Sequence, residues 1–379
     1  MNQTLDHDSQ VLAQVAAAFH DPETIESIQP LGSGNVNDTH LVRAAGQNFV
    51  MQRLNTAVFR QPQQVMGNLL VLNRHVQAKL RANPAELQGR RWELPQVVGT
   101  RHGEHPWFQC QQGGFWRTIT FVEQARSVDV IEGIPQAREL GYGLGLFHHL
   151  ISDLPPDQLA DTLEGFHITP RYLEVYHRAL VKSPLPASAG TDRCIAFIRE
   201  REGLASVLEE AKQRGELSLR PIHGDPKINN VMLDINSGQA VALVDLDTIK
   251  PGLVHYDIGD CLRSCCNPLG EETSDIDAVH FDIDLAEAIL TGYVSVARHF
   301  LTAADMAYIV DAARLISFEL GLRFFTDHLA GNTYFKAAHP EHNLQRALVQ
   351  FQLTASIEAQ EQQLRAVVQQ LQPQLPVAA

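Results

Sequence analysis

The feature of this sequence that most restricts its fold is a change of pattern near residues 119–124. Before that point, short apolar stretches alternate with turn residues such as Gly, Asn and Pro, which is typical of β-hairpins. After it, apolar residues recur every three or four positions over long stretches, which indicates helices. The chain is therefore expected to place a small antiparallel sheet before a mostly helical part.

One helix interrupts the strand pattern. Apolar residues follow Pro62 at helical spacing and would cover one face of the sheet: Val65, Leu69, Leu72, Val76 and Leu80. At 379 residues the chain is too long for one compact core. We therefore expect an α+β fold with two unequal lobes, residues 1–118 and 125–379, joined by a connector at 119–124.

Composition excludes several classes of partner. The formal charge is −14, from 30 Lys and Arg against 44 Asp and Glu, and such a chain repels nucleic acid, although one small anion could still bind locally. The N-terminus lacks the positive charge of a signal peptide, and no uninterrupted apolar run is long enough to span a membrane. A cytoplasmic location without membrane contact is the expectation.

The cysteines are five in number, odd and sparse, which suits a reducing compartment. Three of them, Cys261, Cys265 and Cys266, form C-x3-C-C, which is not a zinc spacing. Buried thiols are therefore expected here.

The stretch "IHGDPKINNVMLD" contains His223, Asp225 and Asn230 in the spacing H-x-D-x4-N of a kinase catalytic loop. An Asp at the third position can orient the hydroxyl of a phosphate acceptor, and an Asn five residues later can ligate Mg²⁺. By itself the pattern is also compatible with an ordinary polar loop.

The loop is followed by a predicted hairpin that ends at Asp245 and Asp247. This hairpin returns a carboxylate beside the loop, where a second metal ligand is needed. Asp257 and Asp260 are expected to accept hydrogen bonds that brace the loop.

The first hairpin, "LGSGNVNDTHLV", is glycine-rich. Its glycines would let backbone N–H groups approach phosphate oxygens, which makes four residues candidates for phosphate contact: Gly32, Ser33, Gly34 and Asn35. A plain hairpin turn is the competing interpretation. A dinucleotide-binding loop is excluded, because a strand follows where that motif needs a helix.

A kinase also needs a cation on the third strand to hold the α and β phosphates. The segment "NFVMQRLN" offers Gln52 and Arg53, and only one of these neighbours can face the nucleotide. Arg53 carries the charge and is predicted to be that residue. The helix after this strand lacks the Glu that would pair with such a cation, which is the main departure from the kinase pattern.

These segments resemble the aminoglycoside phosphotransferase and choline kinase family of small-molecule kinases, and within it the N-acetylhexosamine 1-kinases. The resemblance covers nearly the whole chain, and "HGDPKINN" with "VALVDLDT" is its specific part. It implies a protein-kinase-like two-lobed fold, with nucleotide on the β lobe and acceptor on the helical lobe. By the resemblance, Asp225 is the catalytic base, Asn230 and Asp245 hold Mg²⁺, and Thr120 to Val122 meet adenine.

The resemblance further implies that Arg323 and Tyr334 reach a sugar, although Arg323 could instead pair with Glu319 at i,i−4 spacing. Lys227 could stabilise the transferring phosphoryl group or be solvated, while His223 is expected to shape the loop. The expected activity is ATP- and Mg²⁺-dependent phosphorylation of the 1-OH of an N-acetylhexosamine. The alternatives are a kinase of another small alcohol (an aminoglycoside, choline, homoserine or another sugar) and a non-catalytic nucleotide-binding protein.

Overall fold

The computed structural model describes residues 7–32, 36–82, 84–111, 113–183 and 188–372. Its N-terminal part is an antiparallel sheet with the order β1-β2-β3-β6-β4, in which β5 also pairs with β6. The strands are β1 Ile25–Pro30, β2 Asp38–Ala44, β3 Gln47–Leu54, β4 Val97–Val98, β5 Phe108–Gln109 and β6 Phe115–Thr120. Helix α1, His7–Phe19, covers one face, and α2, Pro62–Arg81, packs with the other.

The two faces of this sheet can be told apart from single side chains. Met51 on β3 packs with α1, so odd-numbered β3 residues face that helix. Leu54 packs in the same core as Val65 and Leu69 of α2, so even-numbered residues face α2 and the C-terminal part. This alternation decides which polar side chains of β3 face α2 and the C-terminal part, and the space between the sheet and the C-terminal part is called the cleft.

The C-terminal part is mostly helical, as the spacing of apolar residues predicts, and the α+β fold class is confirmed. Its helices are α3 Ile134–Ile151, α4 Thr169–Lys182, α5 Ala189–Arg201, α6 Val207–Gln213, α7 Val254–Cys265, α8 Ile283–Ala297, α9 Ala303–Ala307, α10 Ile309–Leu329, α11 His342–Ala359 and α12 Glu361–Leu371. Helices α3 and α8 approach closely at Gly141 and Gly292, where a β-carbon would lie about 2 Å from a facing carbonyl oxygen. None of the described helices is long and apolar enough to cross a bilayer.

Two regions expected to be helical are divided. The apolar stretch 305–329 contains the end of α9 and all of α10, separated at Tyr308, and the tail is divided at Gln360 between α11 and α12. All five cysteines are buried free thiols, as expected.

Two short strand pairs within the helical part bring the motif segments together. β8, Arg220–Ile222, pairs with β11, Lys250–Gly252, while β9, Val231–Asp234, pairs with β10, Ala240–Leu243, and with β7, Ala125–Arg126. The end of β8 therefore lies beside the start of β11, and the start of β9 lies beside the end of β10. Consequently the connecting segments 223–230 and 244–249 run next to each other.

Candidate active site

The segment 223–230 is anchored to α7 through its backbone. The amides of His223 and Gly224 donate hydrogen bonds of 2.7 and 2.8 Å to the two carboxylate oxygens of buried Asp257. Gly224 has a φ of +88°, and a β-carbon there would lie 2.7 Å from the Thr248 carbonyl oxygen, so this position needs glycine. The bracing role predicted for Asp257 is confirmed.

A buried histidine holds Asp257 from the other side. His148 Nε2 lies 2.8 Å from an Asp257 oxygen, and His148 Nδ1 lies 2.9 Å from the Tyr293 hydroxyl. Burial by itself raises the pKa of Asp257, but the hydrogen bond and charge of His148 outweigh it, so the net pKa lies below the usual value. Asp257 is thus an ionised acceptor, whereas Asp260, the other predicted brace, pairs with Arg263 at 2.8 Å.

The His223 imidazole joins the two motif segments. Its Nδ1 accepts from the Asp225 amide at 3.3 Å, so the ring hydrogen is on Nε2 and is donated to the Val244 carbonyl at 2.9 Å. Burial lowers the pKa of His223, which agrees with a neutral ring. The ring therefore links segment 223–230 to segment 244–249.

Asp225, Lys227 and Asn230 form one group at the cleft. The Lys227 Nζ lies 3.0 Å from Asp225 Oδ2, and the charge of that carboxylate raises the pKa of Lys227. The Asn230 side-chain amide donates to the Asp225 main-chain carbonyl at 2.7 Å. This bond fixes the orientation of the Asn230 amide and leaves its carbonyl oxygen available to a ligand. Asp225 is 31% exposed, so its carboxylate can reach a substrate.

Asp245 follows β10 in a left-handed conformation, with φ 61° and ψ 54°, which costs a non-glycine residue about 1–3 kcal/mol. Its side chain is exposed to the cleft, and within the described ranges it has no hydrogen-bond donor. Partial desolvation by the surrounding protein and the charges of Asp247 and Asp225 raise the pKa of Asp245 above the usual value of an aspartate. A bound cation would relieve this repulsion.

This arrangement fits a magnesium site of the kind completed by a substrate. No group of three His, Cys, Asp or Glu side chains in the described residues is placed to hold a metal ion. Mg²⁺ commonly binds one or two protein oxygens and takes the rest from water and substrate phosphates. The Asn230 carbonyl and the Asp245 carboxylate are the two oxygens that would serve such a site.

The cation on the cleft side of the N-terminal sheet is Arg117, on β6. Its Nη2 lies 2.5 Å from Asp247 Oδ1, and both side chains are at most 2% exposed. Gln52, its cross-strand neighbour, accepts from the same guanidinium at 3.0 and 2.7 Å. Asn37 donates to the other Asp247 oxygen at 2.6 Å. The glycine-rich hairpin, β3 and β6 are thereby joined to the segment that carries Asp245.

Arg53 does not reach this cluster, which corrects its predicted placement. It lies on the α1 side of the sheet, paired across strands with Asp38 and Trp116. Its side chain is half exposed and lies 3.8 Å from an Asp38 oxygen. Arg53 was predicted to face the cleft because it carries a charge and Gln52 does not. Met51 is buried against α1, so its neighbour Gln52 faces the cleft and Arg53 faces α1.

The missing glutamate of α2 has a structural counterpart. Asn68 on α2 donates to the Ile249 and Ala160 carbonyls at 2.8 and 2.9 Å and accepts from the Ala160 amide. Neutral hydrogen bonds therefore attach α2 to the C-terminal part. The carboxylate that pairs with Arg117 comes from Asp247 and not from α2.

Of the predicted phosphate loop, Gly32 is described and is exposed with a φ of +69°, a conformation that suits glycine. Ser33, Gly34 and Asn35 lie outside the described residues.

The connector 119–124 has backbone groups without a hydrogen bond to a described residue at two neighbouring positions. The Thr120 amide already donates to the Gln96 carbonyl at 2.9 Å, and the Glu123 carbonyl accepts from Arg91. No hydrogen bond to another described residue involves the backbone of Val122, whose side chain is buried. Phe121, just after β6, likewise has no backbone hydrogen bond to another described residue, so both positions have main-chain groups open to a ligand.

On the helical side of the cleft, the Arg323 guanidinium is surrounded by aromatic rings. Its Cζ lies between 5.1 and 5.5 Å from three ring centroids, those of Phe166, Tyr172 and Phe335. Burial lowers the pKa of Arg323, but nearby groups that include Tyr172, Glu319 and Asp225 raise it overall. The guanidinium is therefore charged.

The alternative ion pair between Arg323 and Glu319 does not form. The Glu319 oxygens are used by His167 Nδ1 at 2.9 Å and by the Thr169 hydroxyl at 2.6 Å. Among the described residues, Arg323 has no carboxylate within 4 Å. Its guanidinium donors are consequently available to a ligand.

Tyr334 lies at the rim of this region and is 63% exposed. Asp327, near the end of α10, fixes the loop that carries it, because its carboxylate accepts from the amides of Thr333, Tyr334 and Phe335 at 2.8 to 2.9 Å. The structure thus holds Tyr334 near Arg323 without a side-chain hydrogen bond within the described residues.

Three residues of the site were not predicted from the sequence: Arg117, His148 and His167. Each acts through a partner more than 50 positions away along the chain, so no local spacing identifies it. For Arg117 one signal existed, since a charged residue in the middle of the apolar strand "FWRTITFV" is unusual.

A family model described as the APH phosphotransferase enzyme family matches residues 27–289. Among solved structures, an aminoglycoside phosphotransferase from Alicyclobacillus acidocaldarius is similar, with 17% identity, 98% of each chain covered and a TM-score of 0.60. A choline kinase from Cryptosporidium parvum has 11% identity, coverage of 96% of this chain and 99% of its own, and a TM-score of 0.61. A spectinomycin phosphotransferase in complex with ADP and spectinomycin has 12% identity, coverage of 93% and 100%, and a TM-score of 0.51.

Proposed function

The chain belongs to the APH phosphotransferase enzyme family and is a small-molecule phosphotransferase; we propose that it uses ATP and Mg²⁺ to phosphorylate the anomeric 1-OH of an N-acetylhexosamine. The observation that carries the choice of acceptor is the charged Arg323 guanidinium, which aromatic rings enclose and which has no carboxylate within 4 Å among the described residues. The unused hydrogen-bond donors of this guanidinium suit the hydroxyl and acetamido oxygens of a neutral amino sugar.

The charge around Asp225 argues against a cationic acceptor. Aromatic rings at about 5 Å are the surroundings in which an ammonium group binds, but here Arg323 already occupies them. Lys227 also lies 3.0 Å from Asp225. Amino alcohols and aminoglycosides would meet like charges at short range, which lowers their affinity.

ATP is proposed to bind between the sheet and segments 223–230 and 244–249. Residues 1–118 would form the nucleotide lobe, 119–124 the hinge and 125–379 the acceptor lobe. Val122 would offer its N–H and carbonyl to adenine. Gly32 to Asn35 would cover the phosphates, and Arg117 would add positive charge behind them without direct contact, since it is buried.

Asn230 and Asp245 are the residues that would hold Mg²⁺, which when bound neutralises charge on the β and γ phosphates. Asp225 orients the acceptor hydroxyl and takes its proton as the oxygen attacks the γ-phosphorus. The new bond joins the sugar oxygen to the γ-phosphorus, the bond to the β–γ bridging oxygen breaks, and ADP leaves. Lys227, held by Asp225, would balance charge on the transferring group. Since the transition state is loose, positioning and charge neutralisation supply most of the rate enhancement.

The test is a panel of acceptors with ADP release as readout: N-acetylglucosamine, N-acetylgalactosamine, glucose, choline, ethanolamine, homoserine and kanamycin. We expect turnover with an N-acetylhexosamine, and a ³¹P spectrum of the product with coupling to the anomeric proton. Activity on an amine-bearing alcohol and on no hexosamine would reassign the acceptor. Binding of Mg·ATP without transfer to any acceptor would favour a non-catalytic nucleotide-binding protein.

A further inference from the structure

His167 is a buried residue of the cleft that the reaction scheme above does not use. It precedes α4 and has a φ of +63°, a left-handed conformation that is uncommon for a non-glycine residue. Its side chain is 5% exposed and its ring packs on Phe166 and Tyr256. A strained backbone around a fully enclosed polar ring persists only when other contacts hold it in place.

Those contacts engage both ring nitrogens. Nε2 lies 2.9 Å from the Gly224 carbonyl oxygen, and Nδ1 lies 2.9 Å from Glu319 Oε1. A backbone carbonyl only accepts, so Nε2 carries a hydrogen. Thr169 donates to the other Glu319 oxygen at 2.6 Å, as expected of an ionised carboxylate.

The charge state of the ring follows from its neighbours on α10 and α7. Burial by itself lowers the pKa of His167. The charge and hydrogen bond of Glu319, the hydrogen bond to the Gly224 carbonyl and the charge of Asp260 raise this pKa by more than burial lowers it, so the net shift is upward. The pKa of Glu319 is lowered overall, because His167 and Arg323 outweigh its burial. His167 is therefore an imidazolium that donates to both partners.

The two partners of His167, the Gly224 carbonyl and Glu319, lie next to two residues that are proposed to contact the acceptor, Asp225 and Arg323. The Gly224 carbonyl is part of the peptide bond that leads into Asp225, and Glu319 lies one helical turn before Arg323 on α10. We propose that His167 is a positioning residue of the phosphoryl transfer, whose two hydrogen bonds set the orientation of the Gly224–Asp225 peptide relative to α10. This inference deepens the proposed function and rests on it for the reaction concerned.

Two substitutions separate the two bonds of His167. A Gln amide nitrogen can reach the place of Nε2 and retain the bond to Gly224, whereas an Asn amide can retain only the Glu319 side. His255→Asn is the matched control, because His255 is also buried and donates through Nε2 to a backbone carbonyl, that of Asp305. All three variants would be compared for kcat, both KM values, thermal midpoint, and hydrogen exchange of peptides covering 222–230.

We expect His167→Asn to lower kcat by at least roughly tenfold, the worth of one charge-assisted hydrogen bond, with the KM for ATP unchanged. His167→Gln should retain most of kcat, and exchange in 222–230 should rise only in His167→Asn. Equal kcat in the Asn and Gln variants and in the wild type, with unchanged exchange, would overturn the positioning role even if the thermal midpoints fall.

The exchange measurement does not need an acceptor, so the two proposals fail in different ways. Wild-type protein without transferase activity, together with faster exchange in His167→Asn alone, would refute the proposed function and leave the positioning of Asp225 supported. An active wild type with identical loop exchange and kcat in every variant would leave the proposed function intact and remove His167 from it.

Discussion

Arg117 and Asp247 form an ion pair of 2.5 Å between the N-terminal sheet and the segment that presents Asp245. The two residues come from β6 and from just beyond β10, and both are buried. Arg117 lies on the strand beside β3, and Gln52 of β3 accepts hydrogen bonds from its guanidinium. The pair therefore couples the sheet to the proposed metal site.

Arg117→Met should lower the free energy of unfolding by about 3–5 kcal/mol, because it leaves the Asp247 carboxylate buried without a cation. We also expect weaker Mg·ATP binding, since the segment that holds Asp245 loses its anchor. Chemical denaturation and calorimetric titration would measure the two effects. Arg53→Met is the matched control: its half-exposed guanidinium faces α1, so it should cost less than about 1 kcal/mol. Similar losses in both variants would contradict the coupling.

Asp225→Asn should lower kcat by roughly 10²–10⁴-fold, because the amide cannot take the acceptor proton. Affinity for Mg·ATP should change little, since Asn230 and Asp245 remain. Single-turnover kinetics and nucleotide titration would separate the two quantities. A variant that retains kcat within a few fold of the wild type would remove Asp225 from the role of base.

Asn230→Ala and Asp245→Asn should each raise the Mg²⁺ concentration for half-maximal activity by more than about tenfold, as lost metal contacts do. The control is Asp234→Asn, at the opposite end of β9, where the carboxylate accepts from turn residues and lies 3.7 Å from Arg91. A magnesium titration at saturating ATP would give the values. Unchanged magnesium dependence in the two test variants would exclude them as ligands.

The His167–Glu319 pair should make stability depend on pH. The raised pKa of His167 means that its contribution is complete below about pH 6.5, the value of an unfolded His, and is lost as pH rises through the folded pKa. The lowered pKa of Glu319 means that its contribution is present above about pH 4.3 and is lost as pH falls further.

Denaturation of wild type and His167→Gln from pH 5 to pH 9.5 would test this. The stability advantage of the wild type should be largest between about pH 4.5 and 6.5 and should decline at higher pH. His255→Gln should not show this decline, because burial lowers the pKa of His255. A gap between wild type and His167→Gln that is independent of pH would refute the charged pair.

Arg323→Met should raise the KM for the acceptor by roughly tenfold or more, the worth of a lost hydrogen bond to a charged group, and leave the KM for ATP unchanged. Arg201→Met is a suitable control, since that guanidinium lies over Phe197 and pairs with Glu358, away from the loop that carries Tyr334. Initial-rate kinetics with both substrates varied would measure the constants. An unchanged acceptor KM would remove Arg323 from the acceptor site.

The fold class and most of the catalytic segment could be predicted from sequence, because these features depend on residues close together along the chain. Strand and helix periodicities identified the sheet and the helices, and the hairpin after Asn230 explains why Asp245 returns beside it. Asp257 was expected to brace the loop, and its bonds to the His223 and Gly224 amides confirm this.

The tertiary structure decided what depends on packing between distant segments. Alternation along β3 allowed either Gln52 or Arg53 to face the cleft, and only the packing of Met51 against α1 settled which one does. Arg117 and His167 reach the site through partners 130 and 57 positions away, Asp247 and Gly224. Local sequence determined the segments and their order, whereas the burial of side chains between those segments determined which charges meet.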